Sequence, residues 1–412
     1  MKILLLSSYL PYPLLSGGQV RLYNLIKELA TQHEITLVCE KRPHQTNADI
    51  DAVKKICKKV ITVNRKKQWS VKNIVQSGVS SQSFLVTGHT HPAMKQLITE
   101  LLQKEAFDLI HVETFYVMQN LLESRIKNPE FKKIPIILVE HNIEYNVYQR
   151  FMDKAPVLLK PLLALDIAKI RRQEESCWEK ATRVVAVSEE DKKVMEKAGI
   201  TPIIVANGVN TELFSFRPKK ETLLRQGFGG QGKILFMGDF SWIQNRDSVK
   251  FIIEEILPKI KIKLKSENVK PILWIVGRTI PDSIKSLTND SNIIFDEESS
   301  AKPTPEIFHE ASLLLAPIRV GGGTSYKILE AMSCGTPVVT MALSAKSINA
   351  IDNHDIMVGE TPEELATKTI QLLQDAETYE RISKNGRALV ERKYTWKAIA
   401  KKLDAAYKEL SV

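Results

Sequence analysis

Residues Leu313–Val339 read LLLAPIRVGGGTSYKILEAMSCGTPVV. An apolar run (Leu313–Pro317) enters a loop of three glycines, a helical segment reaches Met332, and a second apolar run (Pro337–Thr340) follows. Strand, helix and strand in that order predict a parallel sheet with helical crossovers. Thr324 can cap the helix, and where a capping box would place Glu or Gln at the third helical position the chain has Lys327. A cation in the first turn opposes the helix dipole by about 0.3 to 1 kcal/mol, and an anion docked over bare glycine amides reverses that cost. Lys327 is therefore read as a phosphate contact, with a snorkelling surface lysine as the plain alternative. Glu330, three residues on, shares its face and suits a ribose diol, although a solvated helix carboxylate would look the same. Arg319 adds a second cation able to fork onto phosphate oxygens. Together these residues describe a nucleotide diphosphate site.

The alternation continues in both directions. Upstream, strands are expected at Lys2–Ser7, Ile35–Glu40, Val60–Val63, Leu109–Val112, Ile136–Glu140, Arg183–Ser188 and Ile203–Ala206. Leu22, Leu25, Ile26 and Leu29 give Val20–Ala30 the apolar stripe of a helix. The pattern stops in Phe216–Lys233, rich in glycine and charge, which reads as an interdomain linker. It restarts with Ile234–Met237, Ile272–Val276, Ile293–Phe295, Leu313–Pro317, Pro337–Thr340 and Ile356–Val358. A chain of 412 residues exceeds what one core usually supports. The expectation is two doubly wound α/β domains, residues 1–210 and 220–394. Helices are expected at Pro362–Gln374, Tyr379–Tyr394 and Trp396–Leu410. The last either completes the second domain or crosses back, so that 395–412 would join the first.

Hydrophobic and charged fractions of 43% and 26% are those of an ordinary globular chain. A net charge of +10 points to anionic partners, and Lys54, Lys55, Lys58, Lys59, Arg65, Lys66, Lys67 and Lys72 crowd into one stretch. That stretch suits an anionic membrane surface or a merely solvated face, and no nucleic-acid motif accompanies it. The four cysteines are scattered and form no metal-ligand spacing. Pro11 and Pro13 interrupt the N-terminal apolar run, which therefore reads as a buried strand rather than a signal, and no window is apolar enough to span a membrane. A cytoplasmic location is expected, with the inner face of the plasma membrane as its extension.

A second glycine loop, SSYLPYPLLSGGQVRLYNL, places Gly17 and Gly18 before a helix, a setting that suits a phosphate or a plain turn. With both loops in view the chain resembles retaining glycosyltransferase family 4 (group 1), of the GT-B fold, in which two Rossmann-like domains face a cleft. LLLAPIRVGGGTSYKILEAMSCGTPVV is similar to that family's donor-binding signature. GGQVRLYNLIKELA matches its N-terminal loop and helix, VEHNIEY its strand and histidine, VSEEDKKVM and VANGVNTELF its interdomain approach, and ILFMGDFSWIQNRDSVKFIIEEILP the opening of its donor domain.

The resemblance implies a transfer of sugar from a UDP-, GDP- or dTDP-linked donor to a glycan or lipid-linked acceptor, with no metal or other cofactor, in cell-surface polysaccharide synthesis. It implies that Gly17 and Gly18 approach the donor diphosphate across the cleft, that His141 contacts the transferred sugar, that Arg319 and Lys327 hold phosphate and that Glu330 holds ribose. Gly238 and the loop Gly321, Gly322, Gly323, Thr324, Ser325 and Tyr326 complete the donor side. Two departures stand out. Gly322 lies where many members carry a second glutamate, eight positions before Glu330, and MALSAKSI (Met341–Ile348) replaces a glycine-rich loop. They keep a catalytically silent nucleotide-sugar binder open as an alternative. A non-hydrolysing sugar-nucleotide epimerase, drawing on His141, Glu140 and Glu144, is a second.

Overall fold

The computed structural model describes all residues except 69, 154, 219–231, 265–270, 320–324 and 411–412. Most of the expected linker and four residues of the glycine-rich helix entry, Gly321 to Thr324, therefore lie outside the described residues. The chain divides into one unit formed by Met1–Ala206 with Ile399–Val412, and a second formed by Asn207–Ala398.

The first unit is built on β1 (Lys2–Ser7), β2 (Glu34–Lys41), β3 (Lys59–Asn64), β4 (Leu109–Glu113), β5 (Ile136–Val139), β6 (Arg183–Ala186) and β7 (Ile203–Ile204). They form one seven-stranded sheet in the order β3-β2-β1-β4-β5-β6-β7. The second carries β8 (Lys233–Met237), β9 (Ile272–Val276), β10 (Ile293–Asp296), β11 (Leu313–Ala316), β12 (Val338–Thr340) and β13 (Met357–Val358), ordered β10-β9-β8-β11-β12-β13. Every pairing between these strands is parallel. Each expected strand is present, and the two doubly wound sheets are those the alternation implies.

Continuous apolar runs, rather than alternating ones, follow from burial on both faces. Ile3 through Leu6 and Leu313 through Ala316 are all buried. Between the strands, helix Gly17–Leu29 turns Leu22, Leu25, Ile26 and Leu29 into the core, as its stripe requires.

The last helix, Trp396–Leu410, crosses back. Its Asp404 bonds His33 Nε2 at 2.8 Å, and its buried Tyr407 reaches His111 in β4. Two local expectations change. MALSAKSI is no loop: Ala342–Ser347 is a short helix, and the Ala342 N–H donates to Glu360 Oε1 at 2.6 Å. Alanine, leucine and lysine without glycine favour that outcome. The helix after the triple glycine starts at Tyr326, because the Ile328 and Leu329 N–H groups close on the Ser325 carbonyl. Lys327 is then the second helical residue rather than the third. The helix ends on Gly335, whose φ of 78° suits glycine, with Thr336 N–H on the Ala331 carbonyl at 2.9 Å.

Arg21, 1% exposed, donates from its guanidinium to the carbonyls of Val205 and Ala206, both at 2.7 Å. It pins the first helix to the chain's exit from this unit. Arg21→Leu strands both carbonyls and should lower stability by about 2 to 4 kcal/mol, read as a drop in the urea midpoint. An unchanged midpoint would remove Arg21 from the framework.

Candidate functional site

Open parallel sheets bind ligands beyond the carboxyl ends of their strands, where the strand order reverses. In the first unit that point lies between β1 and β4. The loop after β1 runs to Ser16, which caps helix Gly17–Leu29 by accepting the Gln19 N–H. In the first turn, a Cβ on Gly18 would stand 2.9 Å from the Tyr9 hydroxyl and 3.4 Å from His141 Nδ1. Only glycine lets the helix start come this close to the histidine that follows β5.

His141 keeps 15% of its side chain exposed, while its Nε2 makes a very short hydrogen bond to Glu113, a carboxylate with no exposure at the end of β4. Glu113 takes its second bond from His111 Nε2 at 3.1 Å, and His111 Nδ1 meets the Tyr407 hydroxyl at 2.5 Å. Burial pushes the Glu113 carboxyl upward. The positive charge of His141, with hydrogen bonds from His111 and His141, outweighs this and holds it well below the usual range. A carboxylate on Nε2 requires that nitrogen to carry the proton, so Nδ1 is the ring atom turned toward Gly18. Thr114, next to Glu113, has a φ of 73°, a strained value for a β-branched residue, and its N–H bonds the Val139 carbonyl at 2.9 Å.

The sequence pattern does not single out Glu113 and His111, because the expected strand ends at Val112. The available signal was H-x-E at a strand's end, since residues two apart share a face. Of the two carboxylates weighed for acid-base work, Glu140 is tied into the packing, while burial pushes the Glu144 carboxyl up to about 7. Glu140 is buried and accepts from Trp178 Nε1 at 3.2 Å and the Phe115 N–H at 3.4 Å. Glu144 gives its backbone N–H to Glu174 at 2.8 Å.

In the second unit the reversal falls between β8 and β11. Gly238 follows β8 with no room for a side chain, since a Cβ would lie 2.6 Å from Asn245 Cγ. Asn245 clamps that loop by donating to the Asp239 carbonyl at 2.7 Å, and its Oδ1 accepts from Lys327 Nζ at 2.7 Å. The ammonium also lies 4.6 Å from the centroid of the Phe236 ring. Lys327 thus turns inward instead of snorkelling. Burial pushes its pKa down to about 8 against the pull of Glu330, and pushes Glu330 up to about 7 against the pull of Lys327.

Arg319 is held differently from the sequence expectation. Its guanidinium forks onto Asp247 (Nε to Oδ2 3.1 Å, Nη2 to Oδ1 2.7 Å) and stacks 4.2 Å from the Phe251 centroid. A phosphate would have to compete with that carboxylate. Of the expected donor loop, Ser325 and Tyr326 open the helix, while Gly321, Gly322, Gly323 and Thr324 lie outside the described residues. Each unit therefore assembles a polar cluster at its own reversal point: Gly18, His141 and Glu113 in one, Gly238, Asn245, Lys327 and Glu330 in the other.

Comparison with known proteins places the sequence and the fold. Residues 15–213 match the profile of Glycosyltransferase Family 4, and residues 231–375 match that of Glycosyl transferases group 1. An uncharacterized glycosyltransferase of Methanocaldococcus jannaschii is 23% identical over 321 residues, 75% of this chain and 77% of the relative. Among solved structures, sucrose-phosphate synthase from Thermosynechococcus elongatus superposes with a TM-score of 0.69 at 16% identity, covering 100% of this chain and 99% of that one. Anabaena HepE in complex with UDP-glucose gives 0.59 at 15%, covering 99% and 100%. These structures share the fold, two parallel α/β units of the GT-B type. With profiles matched on both halves and the fold shared from end to end, the chain belongs to the group 1, family 4 glycosyltransferases.

Proposed function

We propose that the protein is a retaining glycosyltransferase that moves a sugar from a nucleoside diphosphate donor to a glycan or lipid-linked acceptor in cell-surface polysaccharide synthesis, without a metal. The observation that carries this reading is Lys327: an ammonium drawn out of water at a helix start, held on the Asn245 amide and the Phe236 ring. An anion placed there gains both the fixed charge and the helix dipole. UDP-linked sugars are the preferred donors in this reading, because HepE, on the same fold, was solved with UDP-glucose.

The second unit then holds the donor, with phosphate on Lys327 and the helix start and ribose on Glu330. Negative charge developing on the leaving diphosphate is stabilised by these fixed groups, which supply what a metal supplies elsewhere. The leaving phosphate takes the acceptor proton. His141, its Nε2 fixed by Glu113, presents Nδ1 to the transferred sugar and orients it. Peripheral attachment to an anionic membrane suits the first unit, where Val71, Val75 and Val79 recur every fourth residue of one helix at 79%, 58% and 84% exposure. No helix among the described residues is long and apolar enough to cross a membrane.

Incubation with UDP-, GDP- and dTDP-sugars and a panel of glycan and lipid acceptors should release nucleoside diphosphate. Its glycoside product should keep the donor's anomeric configuration by NMR. An inverted product would overturn the retaining mechanism, and donor binding without turnover would favour a silent binder.

Lys327→Ala should weaken UDP binding by about 1.5 to 3 kcal/mol, the size of a charge-assisted hydrogen bond. Free Lys327 loses its proton near pH 8 and bound phosphate favours its charged form, so wild-type affinity should fall as pH rises through about 8. Lys327→Arg should lack that step in calorimetric titrations, and a step of equal size in both proteins would assign it to another group. Glu113→Gln should lower kcat by an amount worth about 1.5 to 3 kcal/mol while leaving UDP affinity intact. A matching loss of UDP affinity would contradict the role given to the histidine and its carboxylate.

A further inference from the structure

The carboxyl edge of the first sheet carries a second polar cluster that the donor chemistry does not use. Arg42 follows β2 and Arg65 follows β3, and the two strands pair in register up to Lys41 and Asn64. The Arg65 N–H bonds the Lys41 carbonyl at 2.9 Å, so the two arginines stand on neighbouring strand ends. Behind them Glu40, fully buried, accepts from His89 Nδ1 at 2.8 Å and His91 Nε2 at 3.0 Å, and Arg65 Nε lies 3.8 Å from its other oxygen. Arg65 also donates from Nη2 to Gln68 Oε1 at 3.2 Å, and Glu40 is the carboxylate nearest to its guanidinium. Arg42 makes no side-chain hydrogen bond or ion pair among the described residues, and its Nε is buried without a partner.

The Arg42 loop is rigidly placed. Gln45 accepts the Arg42 backbone N–H at 2.8 Å and donates to the carbonyls of Leu10 at 3.2 Å and Tyr12 at 2.7 Å. It thereby ties this loop to the one that carries Tyr9 and leads to Gly18. Along the strand order, Arg65, Arg42, Tyr9, Glu113 and His141 form a row on one edge. At nearly 5 Å per strand, Arg42 stands roughly 15 Å from His141.

We propose that Arg42 and Arg65 form an oxyanion subsite for the acceptor, taking a phosphate or carboxylate group that lies beyond the sugar being extended. Two like charges side by side in a half-buried position are costly alone, and a planar fork of donors matches either anion. The spacing from His141 places the anion on a neighbouring part of the acceptor, such as a lipid-linked phosphate or a uronate residue. This inference rests on the proposed function, in which the second unit holds the donor and the first is taken as the acceptor side.

The test uses full-length protein with labelled arginine, following the Arg42 and Arg65 Nε–H signals by NMR, so that the arginine left in each variant reports the anion. The probes are inorganic phosphate, glucuronate and, as the neutral control, glucose. A saturable shift with phosphate or glucuronate in the millimolar range, absent with glucose and weakened at least tenfold in Arg42→Gln, supports the subsite. Phosphate alone identifies a phosphorylated acceptor, glucuronate alone a uronate, and both a general oxyanion subsite. If Arg42→Gln proves unstable, Arg65→Gln serves, with the same weakening expected. No saturable shift with either anion, or equal affinity in the variants, overturns the proposal. UDP binding is measured in the same samples: its absence from a protein that still passes the anion test would sink the donor reading and leave the subsite standing.

Discussion

A carboxylate removed entirely from water has to find hydrogen-bond donors, and Glu113 sets the first unit around that requirement. Its two oxygens are met by His141 and His111. His111 in turn meets Tyr407 from the final helix. The chain from helix to strand to the histidine beside Gly18 is thus one hydrogen-bonded series, and the strained Thr114 is the backbone adjustment at its centre. Breaking one partner of such a series leaves the others buried and unpaired, which costs more than the lost contact itself.

The second unit solves the complementary problem with a cation. Lys327 is drawn inward by the Phe236 ring and Asn245, and Asn245 is simultaneously the clamp on the Gly238 loop. Loop position and ammonium position are therefore fixed by the same amide. Both clusters sit where their sheet's strand order reverses, so two unrelated stretches of sequence occupy equivalent places in their sheets.

Much of this was legible beforehand. Every strand announces itself as an apolar run bounded by turn residues, Lys327 stands out because it breaks a helix-start preference and Glu330 by its spacing from it, and His141 is marked by the family resemblance. What stayed hidden depends on contacts distant in sequence. Glu113 gains meaning only against His141, 28 positions on, and Arg319 looks free until Asp247 is found 72 positions before it. At Ala342–Ser347 the family's glycine-rich loop is a misleading guide, because the segment's own composition favours a helix. The direction of the last helix was open because its apolar face would suit either sheet. Burial of Leu403 and Tyr407 and the Asp404–His33 pair decide it.

That returning helix has a consequence for how the protein is made. The first unit needs Ile399–Val412, which leave the ribosome only after all of Asn207–Ala398. At roughly 5–20 residues per second, its sheet waits on the order of tens of seconds without Tyr407 and Asp404. During synthesis the second unit can close on itself while the first still lacks the support behind Glu113. The histidine cluster is then among the last parts of the molecule to become ordered.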